Sequence, residues 1–175
     1  MKRIFLFIFF IILSSLVQIG LLNSLGDWGN SINLILCLVI FITIIFNYSY
    51  GLWSAFLGGL ILDLYSPLTF GIFTFIFLII AILVNFLFTN FFTNKSFYSL
   101  LVLGGLATIL YNLLFYIFVY FLFVFNLSDT YFLLDITWLK NLMNQIILNS
   151  IILILFFIFV NKLSKRLKAT FLWID

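Results

Sequence analysis

The chain has 175 residues, 66% of them hydrophobic and only 7% charged, with a formal net charge of +3. Ordinary globular domains carry roughly 25% charge, so too little polar surface is present to cover a water-soluble fold, and a lipid bilayer is the implied solvent. Histidine and glutamate are absent and Cys37 is the one cysteine, which excludes an internal disulfide framework and leaves no cluster with metal-ligand spacing.

Hydropathy blocks predict an all-α integral membrane protein: a single transmembrane domain over 1–175, built as a six-helix bundle with short loops. The predicted spans are Ile4–Leu22, Ile32–Phe46, Gly51–Leu62, Phe70–Phe88, Ser99–Phe125 and Leu142–Val160, followed by a basic cytoplasmic tail at 161–175. The first block follows Met1-Lys2-Arg3 and reads as a retained helix. Its apolar run is longer than the ~7–15 residues of a secretory signal, and no Ala-x-Ala-like site follows. The second and third blocks are short, reaching about 22 and 18 Å against a hydrocarbon core of about 30 Å. They extend into their flanks, thin the bilayer, or sit inside the bundle. The link Asn47-Tyr48-Ser49-Tyr50 between them predicts a tight hairpin with tyrosines at an interface. A re-entrant third block, buried in protein, is the alternative to a full crossing.

Six crossings with the N-terminus inside put Lys2, Arg3, Lys95, Lys162, Lys165, Arg166 and Lys168 on the cytoplasmic side. Asp27, Asp63, Asp129 and Asp135 then lie outside, with Lys140 the single basic exception. This asymmetry favours an even number of crossings and two cytoplasmic ends. The longest outer connection, Asn126–Lys140, carries Tyr131, Phe132, Leu133, Leu134, Ile136 and Trp138. It reads either as an interfacial anchor or as a surface for a partner. The tail attracts anionic lipid by roughly 1 kcal/mol per basic residue. Leu163, Leu167 and Phe171 would share one face of a short surface helix there, but a plain topology anchor is the preferred and complete explanation of the charges.

The most informative stretch is Gly51 to Gly71, GLWSAFLGGLILDLYSPLTFG. Gly51, Ala55, Gly59 and Asp63 recur every fourth residue and form one drifting helical stripe, with Ser54 and Gly58 beside it. Small residues at this spacing let another helix approach closely. The third block therefore reads as a central helix, its stripe serving packing inside the bundle or a partner chain. Asp63 ends the stripe, either as a helix-end carboxylate in water or as a buried acceptor tying the helix to a neighbour. Pro67 stops the helix, and Gly71 opens the next one with close backbone approach. Weaker polar alignments are Ser14 with Gln18, Gly104 with Thr108 and Asn112, and Asn141 with Gln145 and Asn149. Interhelical hydrogen bonds explain them most simply, at about 0.6 kcal/mol each; a polar substrate pathway is the alternative.

The run Gly58-Gly59-Leu60-Ile61-Leu62-Asp63-Leu64, a short Ser66-Pro67 turn and Gly71 at the next helix start resembles the MreD family of bacterial rod shape-determining membrane proteins. Length, short loops and basic ends agree with that resemblance. It implies residence in the bacterial cytoplasmic membrane and a part in the cell-elongation complex. It further implies binding to an MreC-like bitopic protein, with RodA, an elongation-specific penicillin-binding protein and MreB in the same assembly that guides peptidoglycan synthesis. It also implies the six-helix architecture of the substrate-binding subunits of energy-coupling-factor vitamin transporters. By motif it points to Gly58, Gly59, Asp63 and Gly71; Gly51, Ala55 and Pro67 join them as packing or partner-binding candidates.

Two functions follow as expectations. The first is a non-enzymatic scaffold with no cofactor and no nucleic-acid partner, in keeping with the lack of any nucleophile–base pair. The second is the membrane subunit of a small-molecule transporter. Such subunits often carry Ala-x-x-x-Ala in the first helix, whereas Ser14 and Ser15 are the small residues in the bulky Ile4–Leu22.

Overall fold

A computed structural model describes residues 2–22, 31–92, 96–125 and 136–171, together with residues 24, 26 and 29. All regular structure among these is helical: α1 (Lys2–Leu16, continuing as a π-helical stretch Val17–Leu22), α2 (Leu34–Ile45), α3 (Tyr48–Tyr65), α4 (Ile72–Phe91), α5 (Phe97–Val124) and α6 (Ile136–Phe171). The segments Ile72–Phe91, Phe97–Val124 and Trp138–Lys162 are long and apolar enough to cross a bilayer. Phe7–Leu22 and α2 are shorter apolar helices.

The bundle buries an apolar core together with several polar side chains, and its outside is also largely apolar. Phe75, Phe86, Ile117, Ile147 and Leu155 are exposed, while Asn33, Asp63, Thr108 and Asn149 are buried. Exposed apolar side chains on this scale suit a lipid surrounding rather than water.

The centre of the bundle is α2, which packs against each of the other five helices. Its sequence, LILCLVIFITII, offers no polar stripe, and every residue from Ile35 to Ile44 is buried. A helix that is apolar all round belongs inside. At twelve residues it is only about 18 Å long, and its shortness is met by burying its start in protein. The third block does not hold this central place by itself. Helix α3 packs on α1, α2 and α4, but Trp53, Phe56, Leu64 and Tyr65 face outward.

Helix α3 is also longer than its apolar block. It takes in Tyr48, Ser49 and Tyr50, so the expected four-residue hairpin link shrinks to Phe46-Asn47. It ends at Tyr65 because Ser66 is extended (ψ 141°), the conformation imposed on a residue preceding proline. Helix α5 opens on a capping box between Ser96 and Ser99. Helix α6 absorbs Ile136 and Trp138 at its start and runs unbroken through 161–171. The basic tail there continues the last helix rather than forming a separate surface helix. Tyr131, Phe132, Leu133 and Leu134, and the charges Asp27, Lys95, Asp129 and Asp135, lie outside the described residues.

Candidate functional site

Gly51, Ser54, Ala55, Gly58, Gly59, Leu62 and Asp63 form the buried face of α3. The stripe serves two neighbouring helices rather than one. A Cβ on Gly51 would lie 2.9 Å from Cβ of Thr43 in α2, and one on Gly58 would lie 2.7 Å from Cγ2 of Ile35, also in α2. A Cβ on Gly59 would lie 2.5 Å from Cα and 2.8 Å from N of Thr74 in α4. The reason is the helical repeat. Each four-residue step overshoots a turn by about 40°, so Gly51 and Gly59 point about 80° apart. The tightest backbone approach is therefore α3 on the first turn of α4, at Gly59.

Asp63 lies one turn further along and is 4% exposed. One carboxylate oxygen, Oδ1, accepts the backbone N–H of Phe73 at 2.9 Å. The other, Oδ2, accepts the backbone N–H of Thr74 at 3.0 Å and the Thr74 hydroxyl at 2.6 Å. The first N–H groups of any helix lack intrahelical partners. Here the residue before α4 is Gly71, at φ +100°, which has no side chain to cap with. A carboxylate from the preceding helix does that work, and it suits the positive end of the helix dipole. Gly71 is not a point of close approach: a Cβ there meets nothing within 4 Å. Its glycine is required by the left-handed backbone. Pro67 ends α3, and the Leu68 N–H donates to the Ser66 hydroxyl at 3.1 Å, closing the turn between Asp63 and the helix it caps.

The start of α2 is capped in a similar way, with neutral groups. The Asn33 side-chain oxygen accepts the Leu36 N–H at 3.0 Å. The Gln18 side-chain oxygen, carried on the π-helical end of α1, accepts the Ile35 N–H at 2.9 Å. The Asn149 side-chain oxygen, from α6, accepts the Asn33 N–H at 3.0 Å. Asn149 then donates to the Thr108 hydroxyl at 3.2 Å, and Asn112 donates to Gln145, so the network links α1, α2, α5 and α6. Gln18 thus makes the interhelical hydrogen bond expected of its polar alignment, and makes it to the start of α2. Cys37 is buried, its thiol donating to the Asn149 carbonyl at 3.6 Å.

The sequence reading missed Asn33 and Thr74. Both stand where helix-start rules would place them. Asn33 directly precedes an apolar run, a preferred N-cap position. Thr74 is the third residue of α4, where a cap is received.

Chemically, the arrangement holds helix starts in place. The Asp63 oxygens are occupied by donors from α4, and every buried side-chain nitrogen and oxygen among the described residues has a hydrogen-bond partner. Among the described residues no group of three His, Cys, Asp or Glu side chains is placed to hold a metal ion.

A family model described as rod shape-determining protein MreD matches residues 1–167. No curated protein and no solved structure matches the chain.

Proposed function

Because the chain belongs to the MreD family of rod shape-determining membrane proteins, we propose that it is a non-enzymatic scaffold of the cell-elongation complex. In this reading it binds an MreC-like bitopic protein and so helps position peptidoglycan synthesis, with RodA, an elongation-specific penicillin-binding protein and MreB in the wider assembly. It crosses the bacterial cytoplasmic membrane six times with both ends inside. Its fold is that of the energy-coupling-factor substrate-binding subunits, put to a structural use.

One observation carries the scaffold reading. The buried polar side chains are spent on fixing helices to one another, leaving no unsatisfied group among the described residues. A substrate site instead presents a few polar groups to a cavity. Asp63, Gly59 and Gly71 act by fixing the α3–α4 corner, and the face offered to the partner depends on that corner keeping its shape.

The test against a transport subunit is uptake. Liposomes carrying the purified protein, and cells overproducing it, take up no vitamin in a specific, saturable manner if the scaffold reading holds. Saturable uptake overturns it.

A further inference from the structure

A groove of about 500 Å³ opens between α1 and α6, with α2 as its floor. Phe7 and Phe10 form one wall, Phe156, Phe159 and Val160 the other, and Leu38, Phe41 and Ile42 the base. Tyr50 stands at its rim, held edge-on by Phe7 at a ring separation of 5.3 Å, and Phe41 meets Phe156 at 5.6 Å. None of these residues belongs to the two capping clusters.

Its position is informative. The groove lies at the end of the bundle where α1 begins with Lys2-Arg3 and where α6 passes from Val160 to Lys162, Lys165, Arg166 and Lys168. Its two walls are therefore the two helices that carry most of the chain's positive charge at that end. Lys162, two residues beyond the lining Val160, is exposed.

Its size and its almost wholly apolar lining suit a hydrocarbon chain. A methylene group displaces about as much volume as a water molecule, ~30 Å³, so the hollow accommodates roughly sixteen carbons.

We propose that this groove seats one acyl chain of an anionic glycerophospholipid whose phosphate lies at the end of α6 that carries the exposed Lys162. Tyr50, apolar in body and polar at its tip, suits the boundary between chain and headgroup. This goes beyond a general attraction between a basic tail and an anionic surface, because it fixes one lipid in one place. It depends on the membrane setting and not on the MreC-like partner.

The test is native mass spectrometry of the full chain released from nanodiscs of equal phosphatidylglycerol and phosphatidylcholine. The wild type is expected to retain one phosphatidylglycerol per copy in preference to phosphatidylcholine. Val160→Trp fills the hollow and abolishes that retention, whereas Ile151→Trp, on an exposed part of α6 that does not line the groove, leaves it intact. Lys162→Gln lowers the preference about fivefold, the value of one basic residue near an anionic headgroup. This exposed substitution keeps the proposal open to refutation should Val160→Trp fail to fold. Equal retention of both lipids by the wild type overturns the proposal. So does an unchanged preference after Lys162, Lys165 and Arg166 are all replaced by Gln. If a folded Val160→Trp keeps its lipid but loses a single-span protein partner, the groove seats a helix and the proposal fails.

Discussion

Replacing Gly59 with alanine adds one methyl group where the structure has no room for it. The new Cβ would sit 2.5 Å from Cα and 2.8 Å from N of Thr74. Both are backbone atoms of α4, so no rotamer change relieves the overlap, and α4 must retreat by about 1 Å to reach ordinary contact. Thr74 N is also the atom that donates to Asp63 Oδ2 at 3.0 Å. The same retreat lengthens that bond beyond useful range. Overpacking of this kind costs about 1–3 kcal/mol, and a weakened hydrogen bond to a carboxylate adds about 1.5–3 kcal/mol. The gain in helix propensity offsets only about 0.5–1 kcal/mol. The net loss of about 1.5–5.5 kcal/mol corresponds to a melting point lower by roughly 3–22 °C. Gly105→Ala is the matched control, since its Cβ meets nothing within 4 Å, and it should melt at or slightly above the wild type. The assay is thermal unfolding of both variants in the same detergent. Combined with Asp63→Leu, Gly59→Ala should be less than additive, because both act through the first turn of α4. Equal melting points for Gly59→Ala and Gly105→Ala would refute the reasoning.

Asp63→Asn keeps one acceptor but turns an amide NH₂ toward a backbone N–H of α4, so it should lose about 1–3 kcal/mol, and Asp63→Leu more. Thr74→Val removes only the hydroxyl donor to the carboxylate and should lose about 1.5–3 kcal/mol; a melting point for Asp63→Leu at or above that of either milder variant contradicts the capping geometry. Reporter fusions at Asp175 and within Asn126–Lys140 should lie on opposite sides of the membrane, and finding both on one side would end the six-crossing proposal.

The helical blocks were legible in the sequence because lipid demands long apolar runs and the backbone must satisfy itself within them. The stripe of small residues was legible from its spacing alone. Its division between α2 and α4 was not, because the drift of a helical stripe tells where residues point and not which neighbour stands there. The role of Gly71 was misread for a similar reason: a glycine signals freedom in φ and freedom in space alike, and only the backbone angle separates them. The centrality of α2 was hidden by its shortness, which reads as a poor span until the side chains capping its start are seen. Those caps come from Gln18 and Asn149, far apart in the chain, and no local pattern predicts such pairings. Asp63 stood out as a charge in an apolar run. That its partners are N–H groups of the following helix could be seen only once the turn through Ser66 and Pro67 folded it back.

The most direct measurement is co-purification from a rod-shaped bacterium in which the tagged chain replaces its own depleted copy. The account predicts that the wild type restores rod shape and brings down an MreC-like single-span protein. It predicts that Gly59→Leu and Asp63→Leu do neither, at lower or equal protein levels, while Gly105→Ala does both. Recovery of a vitamin and ATPase subunits with the wild type, or normal shape and normal levels with Gly59→Leu and Asp63→Leu, would contradict it.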